Sequence, residues 1–203
     1  MINLVNDLKM KYILFVTILF LYSCNTYNNI NESNNTNIRA EKELTECLQN
    51  NGKDYNGDKI NLYNILINTE AVLIKEKMLR QNDKNTYLQL YKKIKEGEIN
   101  SKDIIKKINE KVPQSYLITV PTNFTSILYC YGYVIENNTS LDKRSVLNKE
   151  YRILKYIFEE GDNSFLQYKK LIDILNNGGF HNPVYRMPLI ALLYSQIENN
   201  NQK

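Results

Sequence analysis

Apolar residues recur at helical spacing along most of the chain. Ala40, Leu44, Cys47 and Leu48 share one face and Gly52 follows as a stop, which predicts a helix over residues 39–50. A second stripe, Leu62, Ile65, Leu66, Thr69 and Leu73, starts after Asp58, a residue suited to cap it. Asn85 or Thr86 opens a third helix carrying Tyr87, Leu88, Tyr91 and Ile94, closed by Gly97. Asn100 and Ser101 cap a fourth with Ile104, Ile105 and Ile108, and Pro113 ends it. The β-branched run from Tyr116 to Val120 reads as extended, although it is too short to found a sheet.

Beyond Pro121 the helical period returns. Thr122 caps a fifth helix with Phe124, Ile127, Leu128, Tyr131 and Ile135, and a sixth spans residues 149–159 and stops at Gly161. Phe165, Tyr168, Ile172 and Leu175 make a seventh, stopped by Gly178 and Gly179. Pro188 suits the first turn of a last helix with Leu192, Leu193 and Ile197. No internal repeat and no sustained heptad is present, which disfavours a solenoid or a coiled coil. The expected fold is all-α: a compact array of about seven or eight short helices over residues 39–198, with a frayed polar tail at 199–203.

The first residues follow a different pattern. Lys9 and Lys11 precede an unbroken apolar run from Tyr12 to Tyr22 that ends at Ser23 and Cys24. At about 1.5 Å per residue the run reaches roughly 18 Å, short of a ~30 Å hydrocarbon core. A basic start, a short apolar segment and a small residue before the cut point to a signal peptide over residues 1–23 rather than a membrane span. Asp7 breaks the basic region and Met10 opens a tidier signal than Met1, so residues 1–9 read as an over-extended start.

The end of this segment, Leu21-Tyr22-Ser23-Cys24, resembles the lipobox of bacterial lipoproteins. Tyr22 departs from the small residue usual at that position. The resemblance implies cleavage before Cys24, acylation of its sulfur by a diacylglycerol carrying palmitate-type chains, and membrane attachment. Two or more chains suffice for stable anchoring at ~0.8 kcal/mol per buried methylene. Residues 24–38 then form a tether; from Asn25 to Asn37 nearly all are Asn, Thr, Ser or Tyr, with too little apolar area to offset ordering.

Composition narrows the possible chemistry. The chain has 203 residues, 24% charged and 43% hydrophobic, which is ordinary globular usage. Its net charge of +4 is too mild and too evenly spread to point to nucleic acid. The sequons at Asn31, Asn34, Asn123 and Asn137 are chance products of an Asn-rich composition. Asp54, Asn56 and Asp58 match the first ligands of a calcium loop, but Lys59 replaces the required Gly and Ile65 the bidentate Glu, so a polar turn is expected.

His181 is the single imidazole, set in Gly178-Gly-Phe-His-Asn-Pro183, and cannot form a multi-His zinc site. No phosphate-cradling Gly loop or nucleophile elbow accompanies it. No catalytic residue, metal site or cofactor is expected, and the Glu and Asp pairs are placed on charged, solvated helix faces. With Cys24 taken by lipid, Cys47 and Cys130 are left in an oxidising compartment. A disulfide between them is the expectation, with two buried free thiols as the alternative.

Tyr129 and Tyr133 share a helix face while Tyr131 points into the apolar stripe. The pair could serve as a platform for a sugar ring or a protein partner, against simple packing as the alternative. The segment from Glu46-Cys-Leu-Gln-Asn to Tyr91-Lys-Lys-Ile94 is similar to small helical lipoproteins of the Bacteroidetes group that have no assigned activity. Asn25, Thr26 and Tyr27 after Cys24 carry no acidic signal, which by lipoprotein sorting habits implies an outer-membrane protein facing the periplasm. The expected function is a non-enzymatic, lipid-anchored binding or accessory module of the envelope, with an immunity-type protein as one form of it. A small envelope hydrolase using a loop site near His181 is the alternative.

Overall fold

In the computed structural model, residues 35–175 and 177–201 are described, and they fold as an all-α domain with one minimal hairpin. Cys24, the segment 1–23 expected to be a signal peptide, and residues 24–34 of the expected tether lie outside the described residues. Helix α1 covers residues 35–50, so the tether expected to run to residue 38 gives way to helix by residue 35. Once a helix is nucleated by an apolar face such as Ala40, Leu44 and Leu48, adding polar residues such as Thr36 and Asn37 to its end costs little.

After α1 the chain turns through a two-stranded antiparallel hairpin, β1 (Gly52–Lys53) and β2 (Lys59–Ile60), with Gly52 opposite Ile60. The calcium-like residues form its turn: Asp54 Oδ1 accepts the backbone N–H groups of Asn56 and Asp58 at 2.9 and 2.8 Å. Asn123, fully buried, fastens this hairpin to the domain. Its Oδ1 accepts from Lys53 N at 2.8 Å, and its Nδ2 donates to the carbonyls of Lys53 and Leu117, each at 2.8 Å. All of the amide's hydrogen-bonding capacity toward these neighbours is used inside the protein, so this sequon is closed to a glycan in the folded state.

The remaining elements are α2 (Leu62–Lys75), α3 (Lys84–Lys95), α4 (Ser101–Lys111), a 3₁₀ turn (Ser115–Thr119), α5 (Pro121–Asn137), α6 (Val146–Glu160), α7 (Phe165–Ile174), α8 (Asn177–His181) and α9 (Pro183–Asn201). The stripe residues expected for α2, Leu62, Ile65, Leu66, Thr69 and Leu73, are all buried. Gly97 and Gly161 stand at φ +73° and +66°, the left-handed conformation that ends α3 and α6 with least strain on Gly.

Several boundaries differ from the expected ones. The cap of α2 is Asn61 rather than Asp58, that of α3 is Asp83 rather than Asn85 or Thr86, and α6 starts earlier, behind Ser145. Each accepts from a backbone N–H of the first turn, a role many nearby polar residues could fill. Helix α5 begins with Pro121 at its first position rather than with Thr122 as cap. The run expected to be extended, Tyr116 to Val120, instead forms the 3₁₀ turn through Thr119, with Val120 capping its end; Leu117 and Ile118 enter the core, and Ser115 Oγ donates to Asn109 Oδ1 at 2.6 Å. A β-branched run this short has no strand to pair with, so local turn bonds decide.

The largest revision concerns α9. It begins at Pro183, not Pro188, and runs to Asn201 through the tail expected to fray. Asn182 Oδ1 accepts from Val184 N at 3.1 Å at its start, and near its end Asn200 Nδ2 donates to the Ile94 carbonyl. Gly178 and Gly179, expected to stop a helix, lie inside the short α8. From Val184 to Tyr194 every residue of α9 is buried, including Pro188, and α9 packs against α2, α3, α4, α7, α8 and the 3₁₀ turn. A helix covered on all sides is a core helix, and its burial offsets the N–H that Pro188 lacks.

Candidate functional site

Helix α5 runs beside α1, and the two are cross-linked: Cys47 and Cys130 form a disulfide with their Cα atoms 5.6 Å apart. Of the two readings of these cysteines, the bond is the one realised. Cys130 sits between Tyr129 and Tyr131, so the cross-link also sets the rotation of α5. Tyr131 is fully buried and its hydroxyl donates to Glu150 Oε2 at 2.8 Å. Tyr129 and Tyr133 stay on the outer face, 55% and 46% exposed. Their rings stack with centroids 6.0 Å apart and planes 25° apart.

These two rings form one wall of an open cleft of about 350 Å³; Glu43, Glu46, Cys47, Asn50 and Asn51 form the other. The α1 wall is held in place by hydrogen bonds. Asn138 Nδ2, at the end of α5, donates to Glu43 Oε2 at 2.7 Å and to the Val134 carbonyl at 2.8 Å. Asn51 Nδ2 donates to the Cys47 carbonyl at 3.0 Å and to its Sγ at 3.2 Å, while Ser126 Oγ donates to the Asn51 carbonyl at 2.9 Å. The floor is thus a covalent cross-link flanked by amides whose donors are already committed.

His181 is not part of this arrangement. It is exposed at the end of α8, and among the described residues no Ser, Asp or Glu hydrogen-bonds to it. No group of three or more His, Cys, Asp or Glu that could hold a metal occurs among the described residues. Nor is any described helix long and apolar enough to cross a membrane.

The core also holds charged residues that the sequence reading did not single out. Glu70, Glu150 and Arg186 are all buried. Arg186 Nη1 donates to the Phe180 carbonyl at 2.6 Å, and Tyr87 donates its hydroxyl to Glu70 Oε1. Glu150 has Tyr131 as its hydrogen-bond partner on Oε2, and Oε1 has none. Burial pushes the Glu150 carboxyl well above the usual carboxylate range, against the smaller opposing effect of the Tyr131 bond. Burial thus favours the protonated form of this carboxyl more than water does. A signal for both acids was present: Glu70 lies four residues after Leu66, and Glu150 three after Leu147, each within its helix's apolar stripe.

The clusters around Glu70 and Glu150 are closed, whereas the cleft between α1 and α5 is open. Comparison with known proteins finds no matching family model, no matching curated protein and no matching solved structure.

Proposed function

We propose that this chain is a lipid-anchored protein of the bacterial cell envelope, on the outer membrane facing the periplasm, that works as a non-enzymatic binding module. The observation that carries the binding role is the stacked, exposed Tyr129–Tyr133 pair beside a cross-linked cleft. Tyrosine offers large contact area at low entropic cost and is enriched where proteins meet. A lipid anchor holds such a module at high local concentration near membrane-associated partners. An immunity-type protein that blocks a toxin delivered to the periplasm is one form this module would take. His181 is exposed, and among the described residues no Ser, Asp or Glu hydrogen-bonds to it.

Anchoring rests on Leu21-Tyr22-Ser23-Cys24. Cys24→Ser protein is expected to leave the detergent phase on phase partitioning, and a mature variant that still enters that phase overturns the lipoprotein reading. For the binding role, a photo-crosslinking amino acid at position 129 in envelope-expressed protein should give one defined adduct. The same residue at position 156, where Tyr156 is also exposed, should give none. Equal labelling at both positions overturns the assignment of the cleft.

A further inference from the structure

We propose that the cavity between the α2–α3 loop and the exposed side of α3 binds a small phosphorylated sugar. It shares no lining residue with the cleft between α1 and α5. Its volume is about 540 Å³, within the range of small-molecule sites.

The lining is strongly cationic. Lys77, Arg80 and Lys93 face the cavity, and among the described residues none of the three side chains has a hydrogen bond or an ion pair. Lys92, beside them on α3, differs: it meets Glu96 at 3.7 Å. The single carboxylate of the lining, Asp83, is used as the cap of α3 and accepts from Asn85 N at 3.1 Å. Three cations held together with one committed acid repel one another, and a bound anion relieves that repulsion. A phosphate monoester fits best, with about −1.5 to −2 charges at neutral pH and three acceptor oxygens.

The rest of the lining suits the body of the ligand. Met78, Leu90 and Ile99 give an apolar surface. The exposed amides of Asn85 and Gln89 lie beside it, and their side chains have no hydrogen bond among the described residues. A sugar ring has the matching halves, a C–H face and a rim of hydroxyls. Inorganic phosphate would satisfy the cations and leave both the apolar surface and the amides unused.

The loop is set before any ligand arrives. Leu79 is buried, Asn82 Oδ1 accepts from Arg186 Nη1 at 3.4 Å, and Thr86 Oγ1 accepts from Arg80 N at 3.1 Å. The backbone that carries Lys77 and Arg80 therefore needs little reordering on binding. Lys77 and Asn82 are the two non-Gly residues with positive φ among the described residues, at +60° and +61°. Lys77 closes α2 with the backbone bonds that Gly97 makes after α3: its N–H donates to the Ile74 carbonyl, as that of Gly97 does to Ile94. Gly carries the least strain there, so a lysine costs backbone energy and adds a cation to the cavity wall.

The test titrates glucose 6-phosphate into the full chain in polyoxyethylene detergent micelles, which bear neither charge nor phosphate. Calorimetry and the ³¹P resonance of the ligand follow binding, and glucose, inorganic phosphate and dihexanoyl phosphatidic acid are compared. Glucose 6-phosphate should bind about tenfold more tightly than glucose or inorganic phosphate, and its affinity should fall as salt rises. Arg80→Gln and Lys93→Gln should each weaken it several-fold with circular dichroism unchanged, whereas Lys155→Gln on α6 should not. Equal binding of glucose overturns the phosphate, and equal binding of inorganic phosphate overturns the sugar. Tighter, Arg80-dependent binding of the phosphatidic acid replaces the sugar with a lipid headgroup. No heat or shift with any ligand, or binding unchanged in the Arg80→Gln, Lys93→Gln double variant, overturns the site.

Discussion

The Arg186 guanidinium clasps the Glu70 carboxylate across 116 residues of sequence, with Nε 2.6 Å from Oε1 and Nη2 3.1 Å from Oε2. Both side chains are 5% exposed or less. The pair joins α9 to α2, and its remaining capacity is taken by Tyr87, Phe180 and Asn82. A buried pair gains little net stability over an apolar pair, but removing one partner strands a charge in the core.

Arg186→Met is therefore expected to destabilise the domain by about 3–5 kcal/mol. Combining it with Glu70→Leu should return part of that loss, since neither charge is then left unpaired. Urea unfolding of both single variants and the double variant measures this. Additive losses would show that the pair does not act as a unit.

Glu150 predicts a pH dependence with a definite sign. A carboxyl that holds its proton more tightly when folded than when unfolded stabilises fully below the unfolded pKa, about 4.3. That contribution is lost as pH rises toward the folded value, by at most about 1.4 kcal/mol per pH unit. Burial raises the Glu150 carboxyl, so the wild type should lose stability relative to Glu150→Gln from about pH 5 upward. Thermal unfolding at pH 4 and pH 8 compares the two; a gap that does not widen with pH shows that the fold does not raise the Glu150 carboxyl.

The cross-link closes a loop with a sequence separation of 83. In the chain-entropy model its removal costs about 4 kcal/mol. A Cys47→Ala, Cys130→Ala double variant should unfold at correspondingly lower denaturant. Wild-type protein from the envelope should show no free thiol at either position under non-reducing labelling.

His181→Ala tests the hydrolase alternative. Removal of an exposed side chain should change stability by under ~1 kcal/mol and leave partner capture intact. A hydrolase using His181 as general base would instead lose about 10²–10⁴-fold in rate. Loss of a measurable activity with the fold unchanged by circular dichroism would reverse the functional reading.

Helix content and most buried faces were legible in the sequence because they are local properties. The stripe of Leu62, Ile65, Leu66, Thr69 and Leu73 needs only the 3.6-residue period to place it on one side of a helix. The shared outer face of Tyr129 and Tyr133, and the inward turn of Tyr131, follow from the same geometry. Tertiary structure decided what depends on residues far apart. Which polar group caps each helix was set by how α2, α3 and α6 dock, since Asn61, Asp83 and Ser145 compete with equally polar neighbours. Glu70 became a core residue because Arg186, on another helix, arrives to meet it, and Glu150 because Tyr131 does. Pro188 could sit inside a helix because six other elements cover α9 and supply burial that no local signal carries. The cleft exists for the same reason: two carboxylates on α1 and two rings on α5 become one surface when Cys47 meets Cys130.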